Sequence, residues 1–137
     1  RSLSSAASDV YKRQAEYYES PVSIHLKQGE LDANKILDTL KDGIYISNLW
    51  YLNFSDRNNG RITGLTRFGC FMVENGEYKG PINTMRFDET VYNIFGDKLI
   101  GLTDSPQLLM DSSTYEERST YSSTIPGAIV EDFKMTL

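Results

Sequence analysis

Hydrophobic and polar positions change period several times along this chain. Val22, Ile24 and Leu26 alternate with Ser23, His25 and Lys27, the two-residue period of a half-buried strand, which Gln28-Gly29 ends. Between Asp32 and Lys41 the apolar positions are Ala33, Ile36, Leu37 and Leu40. They fall on one face at a period of about 3.6 and predict a short amphipathic helix, with Gly43 as its C-terminal cap. From Ile44 to Phe54 the pattern returns to a long, aromatic strand, with Asn48 interrupting the alternation as a candidate bulge. Asp56–Gly60, DRNNG, is its turn.

The stretch Gly43–Phe87 reads as consecutive antiparallel hairpins. Asn59-Gly60 and Asn75-Gly76 carry the residues that supply positive φ for two-residue type I′ turns, and apolar or β-branched residues flank both. Arg61–Glu74 is the next expected strand, with Gly64 and Gly69 marking bends or close backbone approaches; Glu77–Arg86 pairs back, with Pro81 at an edge or kink. Thr90–Phe95 predicts a short helix ended by Gly96, and Lys98–Leu102 another strand. Ser105-Pro106 opens a loop, Ser112–Thr124 is an exposed strand or a mobile segment, and Ala128–Met135 closes the chain as a last strand. With no repeated βαβ unit, the sum is an α+β, β-rich fold of mainly antiparallel strands and hairpins with one or two short helices.

Composition narrows the function classes. At 137 residues the chain holds one domain at most. Its formal net charge is -5 and its basic residues are scattered, which argues against direct nucleic-acid contact, since phosphate binding wants a basic stripe. No apolar run approaches the roughly 20 residues of a membrane helix, so no membrane partner is expected. The lone Cys70 excludes an internal disulfide and suits a reducing, cytoplasmic setting. Residues 1–14 fit nothing that follows: Ser4–Gln14, SSAASDVYKRQ, matches the translation of a transposase adapter used in sequencing libraries. They are expected to be a non-native tail, residues 15–137 the folded domain, and the gene product a longer protein truncated upstream.

Candidates for chemistry are few. A catalytic zinc takes three ligands from histidine, cysteine or carboxylate, commonly two histidines on one helix face. The single histidine, His25, sits at an outward strand position and reads as a surface residue. Cys70, inside TRFGCFMV, reads as a small buried apolar residue with no histidine near it to activate it. The pairs Asp88-Glu89, Glu116-Glu117 and Glu131-Asp132 place adjacent carboxylates on opposite strand faces and read as solvated surface. The aromatic cluster Trp50, Tyr51, Phe54, Phe68 and Phe71 is either core or the lining of a peptide groove.

Three ordered segments carry a family resemblance: SPVSIHLKQGELDANKILDTLKDGIYISNLW, RFGCFMVENGEYKGPINTMRFDE and STIPGAIVEDFKMT. Together they resemble the C-terminal domain of the TldD/PmbA proteins, known as metallopeptidases and as modulators of DNA gyrase. The resemblance implies a zinc peptidase whose HExxxH histidines lie outside this chain, leaving no catalytic or metal-binding residue within it. Some members add a cysteine ligand that would fall at Leu102–Ser113, where this chain reads LTDSPQLLMDSS. Two alternatives stand: a domain that completes a peptidase cleft, or a non-catalytic PmbA-like partner subunit. The implied partners are a peptide substrate, held at Trp50, Tyr51, Arg67 and Phe68, and a second family subunit in a homo- or heterodimer.

Overall fold

The computed structural model describes residues 21, 23–111 and 121–136. The adapter-like tail, Val22, Glu116-Glu117 and most of the Ser/Thr-rich segment lie outside the described residues. The fold is β-rich α+β with mainly antiparallel pairing, as the alternating patterns predict. It divides into two compact units, Arg1–Leu26 with Gln107–Ile125, and Lys27–Pro106 with Pro126–Leu137.

In the first unit, β1 (Ser23–His25) pairs parallel with β10 (Ser122–Ile125), which pairs antiparallel with β9 (Gln107–Met110). The parallel pairing joins segments about a hundred residues apart (Ser23 opposite Ser122), a partner choice that no local pattern encodes.

The second unit begins with a 3-10 turn, Ala33–Lys35, whose Asn34 N–H is capped by Asp32 Oδ1 at 2.9 Å, running into α1 (Ile36–Leu40). The helix ends one turn before the expected glycine: Lys41 takes φ 60° and donates its N–H to the Leu37 carbonyl, while Gly43 opens β2. One sheet has the order β2 (Gly43–Tyr45), β5 (Phe71–Glu74), β6 (Glu77–Pro81). Asn75 (φ 53°) and Gly76 (φ 77°) join β5 to β6 in the expected two-residue turn, and Pro81 ends an edge strand. Gly76→Ala is expected to lower stability by about 1–2 kcal/mol, because only glycine takes this φ freely; a shifted urea midpoint at constant slope checks it.

A second sheet has the order β3 (Leu49–Asp56), β4 (Arg61–Thr66), β7 (Arg86–Thr90). The long strands expected at Ile44–Phe54 and Arg61–Glu74 are each broken in two, and their halves belong to different sheets. The breaks brace each other: Arg67 N–H donates to the Asn48 carbonyl at 3.0 Å, and Ser47 Oγ donates to the Arg67 carbonyl at 3.4 Å. Asn48 therefore marks a sheet crossover, and the bulge lies later, between Trp50 and Asn53. The expected Glu77–Arg86 strand likewise stops at Pro81, and Arg86 starts β7.

The β3–β4 turn also departs from expectation. Asn59 keeps negative φ and only Gly60 is positive, at 57°. Asp56 explains this by accepting the N–H groups of Asn58 (3.0 Å) and Asn59 (3.3 Å), which winds DRNNG into a four-residue loop.

The helix predicted at Thr90–Phe95 runs later and wider, as α2 (Asn93–Asp97) with π geometry, before β8 (Leu99–Leu102). β11 (Ala128–Val130) pairs with β8, and the last expected strand stops at a turn where Asp132 takes φ 48°. Beyond it Met135 bridges to Phe87, covering the outer edge of β7. Among the described residues the fully buried large side chains are Phe87, Glu89, Val73 and Thr66, with Cys70, Thr103 and Ile129 nearly so. Many large apolar side chains remain on the surface, among them Trp50, Tyr51, Leu52, Phe54 and Phe68.

Candidate functional site

β3 is the outermost strand of its sheet, and among the described residues nothing pairs with its free edge. The bulge decides which side chains share a face. Trp50 opposes Leu65 and Asn53 opposes Thr63, so these stand on one face with Asp88; Phe54 opposes Ile62 and stands on the other, with the buried Phe87 and Glu89. An uninterrupted strand would have kept Trp50 and Phe54 together.

The structure brings three of the four expected substrate residues into one assembly. The Arg67 guanidinium lies 4.2 Å from the Trp50 ring centroid and 4.7 Å from that of Phe68. Trp50 is 51% exposed and Phe68 72%, while Arg67 is half-buried between them. Each such stack contributes about 0.5–2 kcal/mol of attraction. Tyr51, the fourth, sits in the bulge, 72% exposed, and makes no ring contact with the other three among the described residues.

Two of these aromatics have unusual backbones, Tyr51 with φ 58° and Phe68 with φ 60°. Left-handed backbone at a bulky residue costs on the order of 1–3 kcal/mol and persists where surrounding contacts impose it. Around Phe68 those contacts are the Cys70 N–H, 2.7 Å from the Phe68 carbonyl, and the braces on Arg67. The wider aromatic groove does not form. Phe54 carries its own cation, with Arg57 at 5.7 Å, and Phe71 packs on Tyr78 at 5.1 Å in the other sheet.

His25 is exposed, as its outward strand position predicts. Cys70 is buried as expected but lies in the loop before β5, with Sγ 3.5 Å from the Arg67 carbonyl. The acidic pairs need correction at Asp88-Glu89. Asp88 forms a 2.8 Å ion pair with Arg61, which holds its carboxyl below the usual range. Glu89 is 1% exposed and accepts hydrogen bonds from Thr90 N and Asn93 Nδ2, both at 2.8 Å. Burial pushes its carboxyl up, but those two bonds and the positive charge of Lys134 outweigh it, so it titrates below an ordinary glutamate. Sequence reasoning missed this group, although Phe87 and Glu89 lie two apart on one strand and so share a face. Glu131-Asp132 is surface, with Asp132 paired to Lys98 at 2.9 Å.

Among the described residues no group of three or more His, Cys, Asp or Glu side chains could hold a metal ion, so these residues do not fit a zinc site. A shallow hollow lined by Asp38, Lys41, Asp42, Asn75 and Gly76 is tied into turn hydrogen bonds, with Asp42 Oδ1 accepting Asn75 N at 2.9 Å. Among the described residues no helix is long and apolar enough to cross a membrane.

Residues 6–137 match the family described as the PmbA/TldA metallopeptidase C-terminal domain. The chain belongs to this family. The PmbA/TldA fold is also found among solved structures: TldE from Thermococcus kodakarensis superposes with a TM-score of 0.66 over 84% of this chain, at 16% sequence identity. At that identity the likeness speaks for the fold alone. The chain spans 24% of the length of that structure, about a quarter of such a protein. No curated protein matches.

Proposed function

We propose that this PmbA/TldA domain forms the substrate-side wall of a cytoplasmic zinc metallopeptidase and lays an extended peptide along the free edge of β3. Trp50, Tyr51, Arg67 and Phe68 hold the peptide, while the zinc ligands come from HExxxH histidines outside this chain. The observation that carries the reading is the edge of β3, which nothing among the described residues pairs, beside large aromatic side chains left 51–72% exposed. Strand addition uses such an edge: main-chain hydrogen bonds provide affinity, and side chains on alternate faces provide selectivity.

The alternative, a non-catalytic partner or scaffold subunit in a family dimer, is favoured by the exposed row Leu108, Leu109 and Met110 on β9, apolar surface of the kind a subunit contact covers.

Peptide strands with alternate backbone nitrogens methylated test the reading. They cannot donate hydrogen bonds to β3, and binding to the 137-residue chain is expected to fall at least about tenfold relative to unmethylated peptides. Equal binding of the two sets, or zinc-dependent cleavage by this chain alone, would sink it.

A further inference from the structure

We propose that Arg67, whose guanidinium lies over the rings of Trp50 and Phe68, binds the side-chain carboxylate of an aspartate or glutamate on a peptide laid along β3, so that the site selects acidic segments. The inference rests on the strand-addition reading above and adds the chemistry of the residue recognised.

The Arg67 guanidinium carbon lies over both the Trp50 and the Phe68 ring, while its N–H donors, which lie in the guanidinium plane, have no hydrogen-bond acceptor among the described residues and can serve a bidentate carboxylate. Among the described residues the Arg67 side chain makes no ion pair and no hydrogen bond; its polar contacts are all through its backbone. Arg61, Lys79 and Lys98 are each paired to a carboxylate. Arg67 combines three things: it is half-buried, its guanidinium lies over two aromatic rings, and among the described residues it has no carboxylate partner, which suits it to receive a negative group.

Geometry selects the source of that group. A strand added to β3 would lie about 4.8 Å away, with alternate side chains standing on the Trp50 face, where Arg67 is stacked. A terminal carboxylate continues the backbone in the plane of the sheet, whereas an Asp or Glu side chain on that face stands off the sheet on the side that carries Trp50 and the guanidinium over its ring. The strained backbones of Tyr51 and Phe68 accord with a preorganised station, whose ordering cost is met on folding and not on binding.

Trp50 is the only tryptophan, so its emission reports directly from this site in the 137-residue chain. The probes are extended peptides with amidated C-termini, identical except that one glutamate is glutamine. The glutamate peptide is expected to bind about tenfold more tightly, as a charge-assisted hydrogen bond allows. Arg67→Met and Arg67→Lys, checked by circular dichroism for retained fold, are expected to reduce the preference, Met to none and Lys to a weaker, non-bidentate one.

Equal binding of both peptides leaves strand addition standing and overturns the carboxylate proposal. A preference that appears only with a free C-terminus also overturns it. Binding of neither peptide overturns the carboxylate proposal together with the peptide reading. Concentration-dependent dimers dispersed by Arg67→Glu, with no peptide binding, would assign the edge to a second copy of the chain and overturn it too.

Discussion

Phe87→Ala is expected to cost about 3–5 kcal/mol of unfolding free energy, the largest single effect in the chain. Phe87 is fully buried in β7, its ring 5.2 Å from that of Phe133. A Cβ built on Gly64 would come within 2.9 Å of the Phe87 ring, so the ring fills the space that glycine leaves open. Among the described residues the buried hydrophobic core holds beside it only Cys70, Val73 and Ile129, so little surrounding mass can close the void. Domains of this size are stable by about 5–15 kcal/mol, so the variant should be marginal or unfolded at physiological temperature. Urea titration followed by circular dichroism measures it, with Phe87→Leu, which removes less of the side chain, as the milder control expected to cost clearly less than Phe87→Ala. A loss below about 1 kcal/mol for Phe87→Ala would mean that this face is not a closed core.

Glu89→Ala should follow closely, at about 2–4 kcal/mol, since it removes a buried carboxylate and leaves two half-buried donors, the Thr90 N–H and the Asn93 amide, without their acceptor. Asn93 opens α2, so hydrogen exchange should accelerate across Asn93–Asp97 before the rest of the unit. Glu89→Gln keeps the shape and one acceptor and should cost less. The same carboxylate makes stability depend on pH. Its folded pKa lies below the unfolded reference of 4.5, so its contribution is fully present above that value and is lost as pH falls through the folded pKa. Asp88, lowered mainly by the hydrogen bond from Arg61, and Asp56, lowered mainly by the hydrogen bond from Asn59, act in the same direction. The expected result is a urea midpoint that declines on acidification below about pH 4.5, with a shallower decline in Glu89→Gln. An equal decline in the two proteins would remove Glu89 from the account.

Short-range causes decided the turns and caps, for the expectations that held and for those that failed. The Asn75-Gly76 turn formed because both residues tolerate positive φ and leave only one way to close the hairpin. Asn59-Gly60 failed because Asp56, three residues earlier, offers a competing local cap. Gly43 lost its role as a cap because the helix ends earlier, at Lys41, which takes a positive φ of 60° itself.

What the sequence by itself determined is the family, the β-rich class, the approximate places of most strands and turns, and the identity of the aromatic and basic residues beside β3. These follow from short-range periods and from the φ preferences of single residues, which need no partner strand. Tertiary structure alone decided that two long apolar runs break and change sheets at Asn48 and Arg67, and that β1 pairs with β10. It alone decided that a bulge sends Trp50 and Phe54 to opposite faces, that Glu89 is buried, and that Arg67 is gripped by two rings. The reason is physical: register, edge position and burial are properties of pairs of segments distant in the chain. Periodicity within one segment carries no information about which segment lies beside it.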